Sequence, residues 1–187
     1  SQLLRIQTPV LFESGAGMFD PVSAISTWHP DFTRDIRMEV DDIRSFLEGV
    51  VADNVRLSID YAKRSQAALV GSPHGGIEEA RLEVEEYVSK NHPSFNVFHT
   101  HISIDVVPPG LTKAEGMHWL AQTCRISLSE MAFVGDTEGD VGALLIVGAS
   151  FAPANGTQEA KSSAKHASSF NDIEAVLEAY EMSKVLP

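Results

Sequence analysis

The chain has 187 residues, 43% of them hydrophobic and 21% charged, enough apolar material for one packed domain with an insertion. Its 26 acidic and 14 basic side chains leave a formal charge of −12, which disfavours the cationic surface that non-specific nucleic-acid binding requires. A single cysteine, Cys124, excludes an internal disulfide framework, no apolar run reaches bilayer length, and no signal-peptide pattern is present, so a cytoplasmic location is expected.

The first residues, Ser1-Gln2-Leu3-Leu4-Arg5-Ile6, read as the tail of a helix. Residues 9–16 read as a buried strand and its exit turn, Glu13-Ser14-Gly15-Ala16. A turn-rich stretch with Asp20-Pro21 and His29-Pro30 follows. Ile43, Phe46, Leu47, Val50 and Val51 then recur at helical spacing. A strand is expected over 66–70, a Gly-rich turn over 71–76, and a second helix with Ile77, Ala80, Val84, Tyr87 and Val88 on one face. Strands are expected near 95–99 and 101–107. Two helices backing an antiparallel sheet make an α+β unit of roughly ferredoxin-like logic.

From Lys113 the pattern changes. An amphipathic helix carries Met117, Leu120, Ala121 and Cys124 on one face, with Thr112 as its N-cap. Cys124 is therefore expected to be a buried structural thiol. A strand over 131–134, a helix over 138–146, a strand over 147–151, a helix over 157–164, a short strand near 166–169 and a final helix with Ile173, Val176, Leu177 and Tyr180 follow. Strands alternating with helices argue for a parallel sheet. The chain thus divides into 1–17, a core remnant; 18–110, an inserted unit; and 111–187, the resumed core.

Two elements carry chemistry. The apolar run 131–134 ends in Gly135-Asp136-Thr137-Glu138-Gly139-Asp140. Such a strand delivers carboxylates to the carboxyl edge of a sheet, where open α/β folds place ligands. Two carboxylates at that spacing suit a hard cation such as Mg²⁺, which keeps waters for a phosphate; acidic helix capping accounts equally well for the pattern alone. Lys113, in Gly110-Leu111-Thr112-Lys113, sits in the first turn of a helix, where a cation opposes the dipole and a nearby anion would account for it.

Together these motifs resemble the haloacid dehalogenase superfamily of phosphohydrolases. Lys113 resembles its third motif, and Gly135-Asp136-x-x-x-Asp140 its fourth. Residues 151–161, with Asn155-Gly156-Thr157, resemble the segment that follows the fourth motif in sugar-phosphatase-like members, and Glu13-Ser14-Gly15-Ala16 the Glu-Asn-Gly-Ala turn into the cap, with serine where asparagine is usual. The likeness is greatest to the archaeal-type phosphoglycolate phosphatases, with sucrose- and mannosyl-phosphate phosphatases as relatives. It implies an α/β fold: a partial Rossmann-like core with a parallel sheet, plus an inserted α+β cap.

The resemblance further implies Mg²⁺-dependent hydrolysis of small phosphorylated metabolites through an aspartyl-phosphate. Asp136 and Asp140 would serve the metal, Asp136 as a ligand directly or through a water, and Asp140 by supporting that ligand from behind or by orienting Lys113. Lys113 would balance the phosphate and the nucleophile, and Asn155 would line the substrate site. One departure is large. The family's Asp-x-Asp motif, nucleophile and general acid/base, has no counterpart here, nor has its phosphate-binding Ser or Thr. Asp20 and Asp31 lack a preceding buried strand. The chain alone is therefore expected to be inactive, with an incomplete sheet that favours self-association or binding of an absent N-terminal segment. The alternative is a non-catalytic domain that binds a metabolite or a partner.

In the cap, His99, His101, Ser103 and Asp105 are expected on one polar strand face opposite Ile102, Ile104 and Val106, with His101 contacting substrate. His-x-His with an aspartate nearby leaves a zinc site as an alternative. His74 and Arg64 are weaker candidates for leaving-group contacts.

Overall fold

The structure, a computed structural model, describes residues 6–72 and 76–184. The chain is α/β and forms two compact units: residues 1–10, 19–25 and 113–187 make the first, and residues 11–18 and 26–112 the second. The expected N-terminal helix tail falls mostly in residues 1–5, outside the described residues. Among the described residues no helix is long and apolar enough to cross a membrane.

Three short strands open the chain: β1 (Val10–Phe12), β2 (Gly17–Asp20) and β3 (Ile25–Trp28), in the sheet order β1-β2-β3. The second and third lie in the stretch read as turns; β3 is short and mostly exposed, so it has no apolar alternation to betray it. Asp20 serves the turn between them, accepting from Val22 N at 2.9 Å and Ser23 Oγ at 2.6 Å.

The body of the second unit is a four-stranded antiparallel sheet with two helices. Its strands are β4 (Leu57–Ile59), β5 (Ala67–Gly71), β6 (Asn96–His99) and β7 (Ser103–Val107), in the order β4-β5-β7-β6. The helices are α1 (Arg34–Ala52) and α2 (Ile77–Asn91). Thr33 caps α1 by accepting from Ile36 N at 3.3 Å. Val40, Ile43 and Leu47 of α1, Val84 and Val88 of α2, and Leu69, Ile104 and Val106 of the sheet form one buried core. Full burial of such a side chain contributes about 1.5–3 kcal/mol.

A polar clamp joins the two helices at the edge of that core. His92, 8% exposed just after α2, bonds Glu39 through Nδ1 at 3.1 Å and Asp42 through Nε2 at 2.9 Å. Tyr87 stacks on Phe46 with centroids 3.8 Å apart and donates its hydroxyl to Asp42 at 2.9 Å. Burial alone lowers the imidazole pKa, but the bonds to Glu39 and Asp42 outweigh it and hold the pKa above its ordinary value. A raised folded-state pKa makes this stabilisation complete below the unfolded pKa of about 6.5 and lost as pH rises through the folded value. We expect His92→Gln to cost about 1–2 kcal/mol at pH 5.5, the scale of a hydrogen bond to a charged group. The cost should shrink steadily towards pH 9. Urea midpoints of both proteins across that range check this; a difference that grows with pH contradicts the clamp.

The first unit carries α3 (Lys113–Cys124), β8 (Ala132–Val134), α4 (Val141–Ile146), β9 (Ala149–Ala152), α5 (Gln158–Ser163), β10 (His166–Ala167) and α6 (Asp172–Ser183). Its strands pair in parallel in the order β10-β9-β8, with Val134 opposite Phe151 and Ala152 opposite Ala167. Leu144, Ala152 and Ala160 pack on one side; Ala149, Phe151 and Ala179 pack on another. Cys124 is half-buried at the end of α3 rather than sealed in a core.

Two surfaces of this unit are uncovered among the described residues. β8 is an edge strand among the described residues. The large side chains of α6 also point outward: Ile173 is 66% exposed, Leu177 57% and Tyr180 60%, while Ala175 and Ala179 make the buried contact.

Candidate active site

The site lies where β8 ends. Gly135 follows the strand and donates to Phe151 O at 3.0 Å, continuing the pairing with β9. The backbone then turns through Asp136 and Thr137 into a 3-10 turn, Glu138–Asp140, that runs into α4. A Cβ on Gly135 would lie 2.4 Å from Asp140 Cβ, so only glycine lets the strand end pass this close to the aspartate. Thr157 N donates to Asp136 O at 2.8 Å, tying the loop after β9 to the loop after β8.

Asp140 is 2% exposed and fully engaged. Its Oδ2 accepts from Asp136 N at 3.1 Å, Thr137 N at 3.0 Å and Thr137 Oγ1 at 2.8 Å. Its Oδ1 accepts from Lys113 Nζ at 2.5 Å. Burial pushes the carboxyl pKa up, but the Lys113 ammonium and the Thr137 donors more than offset this and hold it below the usual carboxylate range. The carboxylate therefore stays ionised and fixes both the loop and the lysine. Lys113 is the first residue of α3, and its side chain remains 38% exposed, so the ammonium is anchored on one side and open on the other.

Asp136 differs. Its side chain is exposed, and its carboxylate has no hydrogen-bond or ion-pair partner among the described residues. Two sequence-neighbouring carboxylates thus have separate surroundings: one is spent on fixed donors, the other is free at the carboxyl edge of a parallel sheet. A free carboxylate there is the donor type that Mg²⁺ accepts, since that ion binds through one or two carboxylates and keeps its remaining positions for waters and phosphate. Among the described residues no group of three or more His, Cys, Asp or Glu is placed to hold a metal ion, and no zinc set forms around His99 and His101.

Asn155 is exposed and spends both ends of its amide on Asp172: Nδ2 donates to Oδ1 at 2.8 Å, and Oδ1 accepts from Asp172 N at 3.1 Å. It ties the loop after β9 to the first turn of α6. His101 does not sit on a strand. The segment read as one alternating strand is a hairpin: β6 ends at His99, His101 and Ile102 form its turn, and β7 begins at Ser103. His99 lies opposite Ile104, and Val97 opposite Val106. Opposed residues share a face, so His99 belongs to the side of Ile104 and Val106, away from Ser103 and Asp105. One alternation carried through the turn produced the error. Asp105 is instead held by Lys63 and by Gln66, whose Nε2 donates to it at 3.3 Å. His74 lies outside the described residues.

Two contacts escaped the sequence reading, one in this site and one within the second unit. Thr137 supplies two donors to Asp140, and its place three residues ahead of an acidic residue is a capping signature that could have marked it. Glu13 accepts from Arg64 N and Ser65 N, both at 2.7 Å, and from Ser65 Oγ at 2.8 Å. Nothing local signals that pairing across fifty residues.

Comparison with known proteins adds three findings. The family model of the haloacid dehalogenase-like hydrolases matches residues 49–179. No curated protein sequence matches the chain. Among solved structures, one from Thermoplasma acidophilum superposes with a TM-score of 0.71 at 18% identity, covering 99% of this chain and 76% of that one. A haloacid dehalogenase-like hydrolase from B. subtilis gives 0.69 at 18%, covering 99% and 82%. The sucrose-phosphatase of Synechocystis, in complex with sucrose and phosphate, gives 0.61 at 14%, covering 93% and 73%. At such identities these likenesses speak for the fold.

Proposed function

Since the chain belongs to the haloacid dehalogenase-like hydrolases, we propose that it carries the lysine and metal-ligand half of a Mg²⁺-dependent phosphomonoester hydrolase acting on small phosphorylated metabolites in the cytoplasm. The observation that carries the reading is the contrast between two aspartates: Asp140, buried and paired with Lys113, and Asp136, exposed and unpartnered.

In this reading Lys113 is the charge partner of the phosphoryl oxygens. Asp140 does not meet the substrate; it holds Lys113 in place, and its loop donors hold Asp136. Asp136 would hold the Mg²⁺. The chemistry that such an ion supplies is neutralisation of the charge on the transferring phosphoryl group. Catalysis of phosphoryl transfer is mostly positioning plus electrostatics, and fixed donors beside an open carboxylate suit that task.

The reaction also needs a nucleophilic carboxylate and a proton donor for the leaving oxygen. We assign both to a strand–helix segment outside these 187 residues, bearing an Asp-x-Asp pair. Two observations support the assignment. Among the described residues the edge of β8 is unpaired beside Asp136, and α6 exposes Ile173, Leu177 and Tyr180 next to it in the same unit. The superposed Thermoplasma structure is matched over only 76% of its length by 99% of this chain. A parallel strand on β8 with its helix over α6 would cover both surfaces and set carboxylates next to Asp136. The test is phosphate release from a panel of phosphorylated metabolites by protein that includes such a segment, with Mg²⁺ and then with excess chelator. Turnover should stop with the chelator; turnover that survives it refutes the metal assignment.

A further inference from the structure

The second unit holds a cavity of about 230 Å³ that the phosphatase reading does not use. Four of the chain's 14 basic side chains line it: Arg37, Arg44, Lys63 and Arg64. In a chain with a net charge of −12, that concentration is unexpected for a solvated surface. Trp28 and Tyr61 line the cavity too, and Asp41 is its acidic residue.

The walls are built in a definite way. Arg37, Asp41 and Arg44 stand at i, i+4 and i+7 on α1 and so share one helix face. Lys63 and Arg64 lie in the connection between β4 and β5. Glu13 clamps that connection through the amides of Arg64 and Ser65, and Arg44 Nη2 ties it to α1 by donating to Lys63 O at 3.3 Å. Trp28 is wedged between Phe12 and Phe32, with centroids 5.3 and 5.2 Å away.

The four cations divide into two pairs. Arg44 is neutralised by Asp41 at 2.5 Å, and Lys63 by Asp105 with Asp60 at 3.9 Å. Tyr61 is likewise engaged, donating to Glu48 at 2.9 Å. Arg37 and Arg64 have no carboxylate partner among the described residues; the Arg37 guanidinium lies 5.1 Å from the Phe32 centroid. Two guanidinium forks, one on α1 and one on the β4–β5 connection, without a carboxylate partner among the described residues and in a cavity also lined by Trp28 and Tyr61, match a doubly charged oxyanion on a small flat or apolar body. The volume is below the range that holds nucleotide- or drug-sized ligands.

We propose that this cavity binds a small organic dianion, its phosphate or paired carboxylates taken by Arg37 and Arg64 and its body laid against Trp28 and Tyr61. The ligand is a free anion bound within the second unit itself. The binding claim stands without the phosphatase reading.

Titration of the 187-residue chain with phenyl phosphate, followed by Trp28 fluorescence and by calorimetry, tests it. Saturable binding that weakens with added salt is expected. Arg37→Ala with Arg64→Ala should weaken it at least tenfold while circular dichroism and melting stay as in the parent. Trp28→Phe should remove the optical signal but keep the calorimetric one. Absence of saturable binding, or equal binding by the double variant, overturns the proposal.

Discussion

Replacing Asp136 with alanine should lower kcat/KM of the phosphatase-competent protein by about 1,000-fold or more, a loss of about 4 kcal/mol in transition-state stabilisation. The size follows from the role. A carboxylate that holds the metal sets both the charge and the geometry around the phosphoryl group, and the exposed Asp136 side chain has no other task among the described residues. Stability should change by less than about 0.5 kcal/mol, because no buried partner is left behind. Asp140→Ala should be milder for activity, about 10–100-fold, since Asp140 acts through Lys113 and the loop. Steady-state kinetics with melting curves on the two variants check the ranking; equal losses, or a larger loss at Asp140 in folded protein, contradict the division of roles.

For stability the order should reverse. Asp140→Ala deletes a carboxylate that is 2% exposed and accepts from Lys113, from two backbone amides and from the Thr137 hydroxyl. Breaking a buried pair by removing one partner costs about 3–5 kcal/mol. Lys113 is 38% exposed and can regain water, which brings the expected cost to about 2–3 kcal/mol. The pH dependence has a definite sign. The folded-state pKa of Asp140 is depressed, so its stabilisation is present above the ordinary carboxylate value of 3.8 and is lost as pH falls through the lower folded value. Urea midpoints of the parent and Asp140→Asn should therefore differ most near neutrality and converge in acid. A difference that persists undiminished below pH 3 would mean that the ion pair is not its source.

What the amino-acid order made legible was local. A buried strand ending in Gly135-Asp136 and a lysine opening a helix are short-range patterns, and the structure joins Lys113 to Asp140 across 27 residues. Helical periodicity located α1, α2 and α3, because their buried residues recur at the helical period. Failures came where periodicity carries no information. The two-residue turn at His101 and Ile102 reverses which residues share a face, and alternation read through it put His99 with Asp105 when it lies opposite Ile104. Strand β3 is polar and exposed, and β4 has only three residues. In α6 the pattern of Ile173, Val176, Leu177 and Tyr180 gave the helix but not its orientation, since two alanines make the buried contact. The basic cavity was invisible because α1 and the β4–β5 connection meet only through tertiary packing.

The central claim is that this chain holds Lys113, Asp140 and Asp136 ready but takes its nucleophile from a strand–helix segment set against β8. The most direct measurement is Mg²⁺-dependent phosphate release from an aryl phosphate by the purified 187-residue chain, with and without that segment. The account predicts none above buffer from the chain alone. With the segment it predicts turnover that chelator abolishes and Asp136→Asn removes. Robust turnover by the 187-residue chain alone, lost in Asp136→Asn, would contradict it.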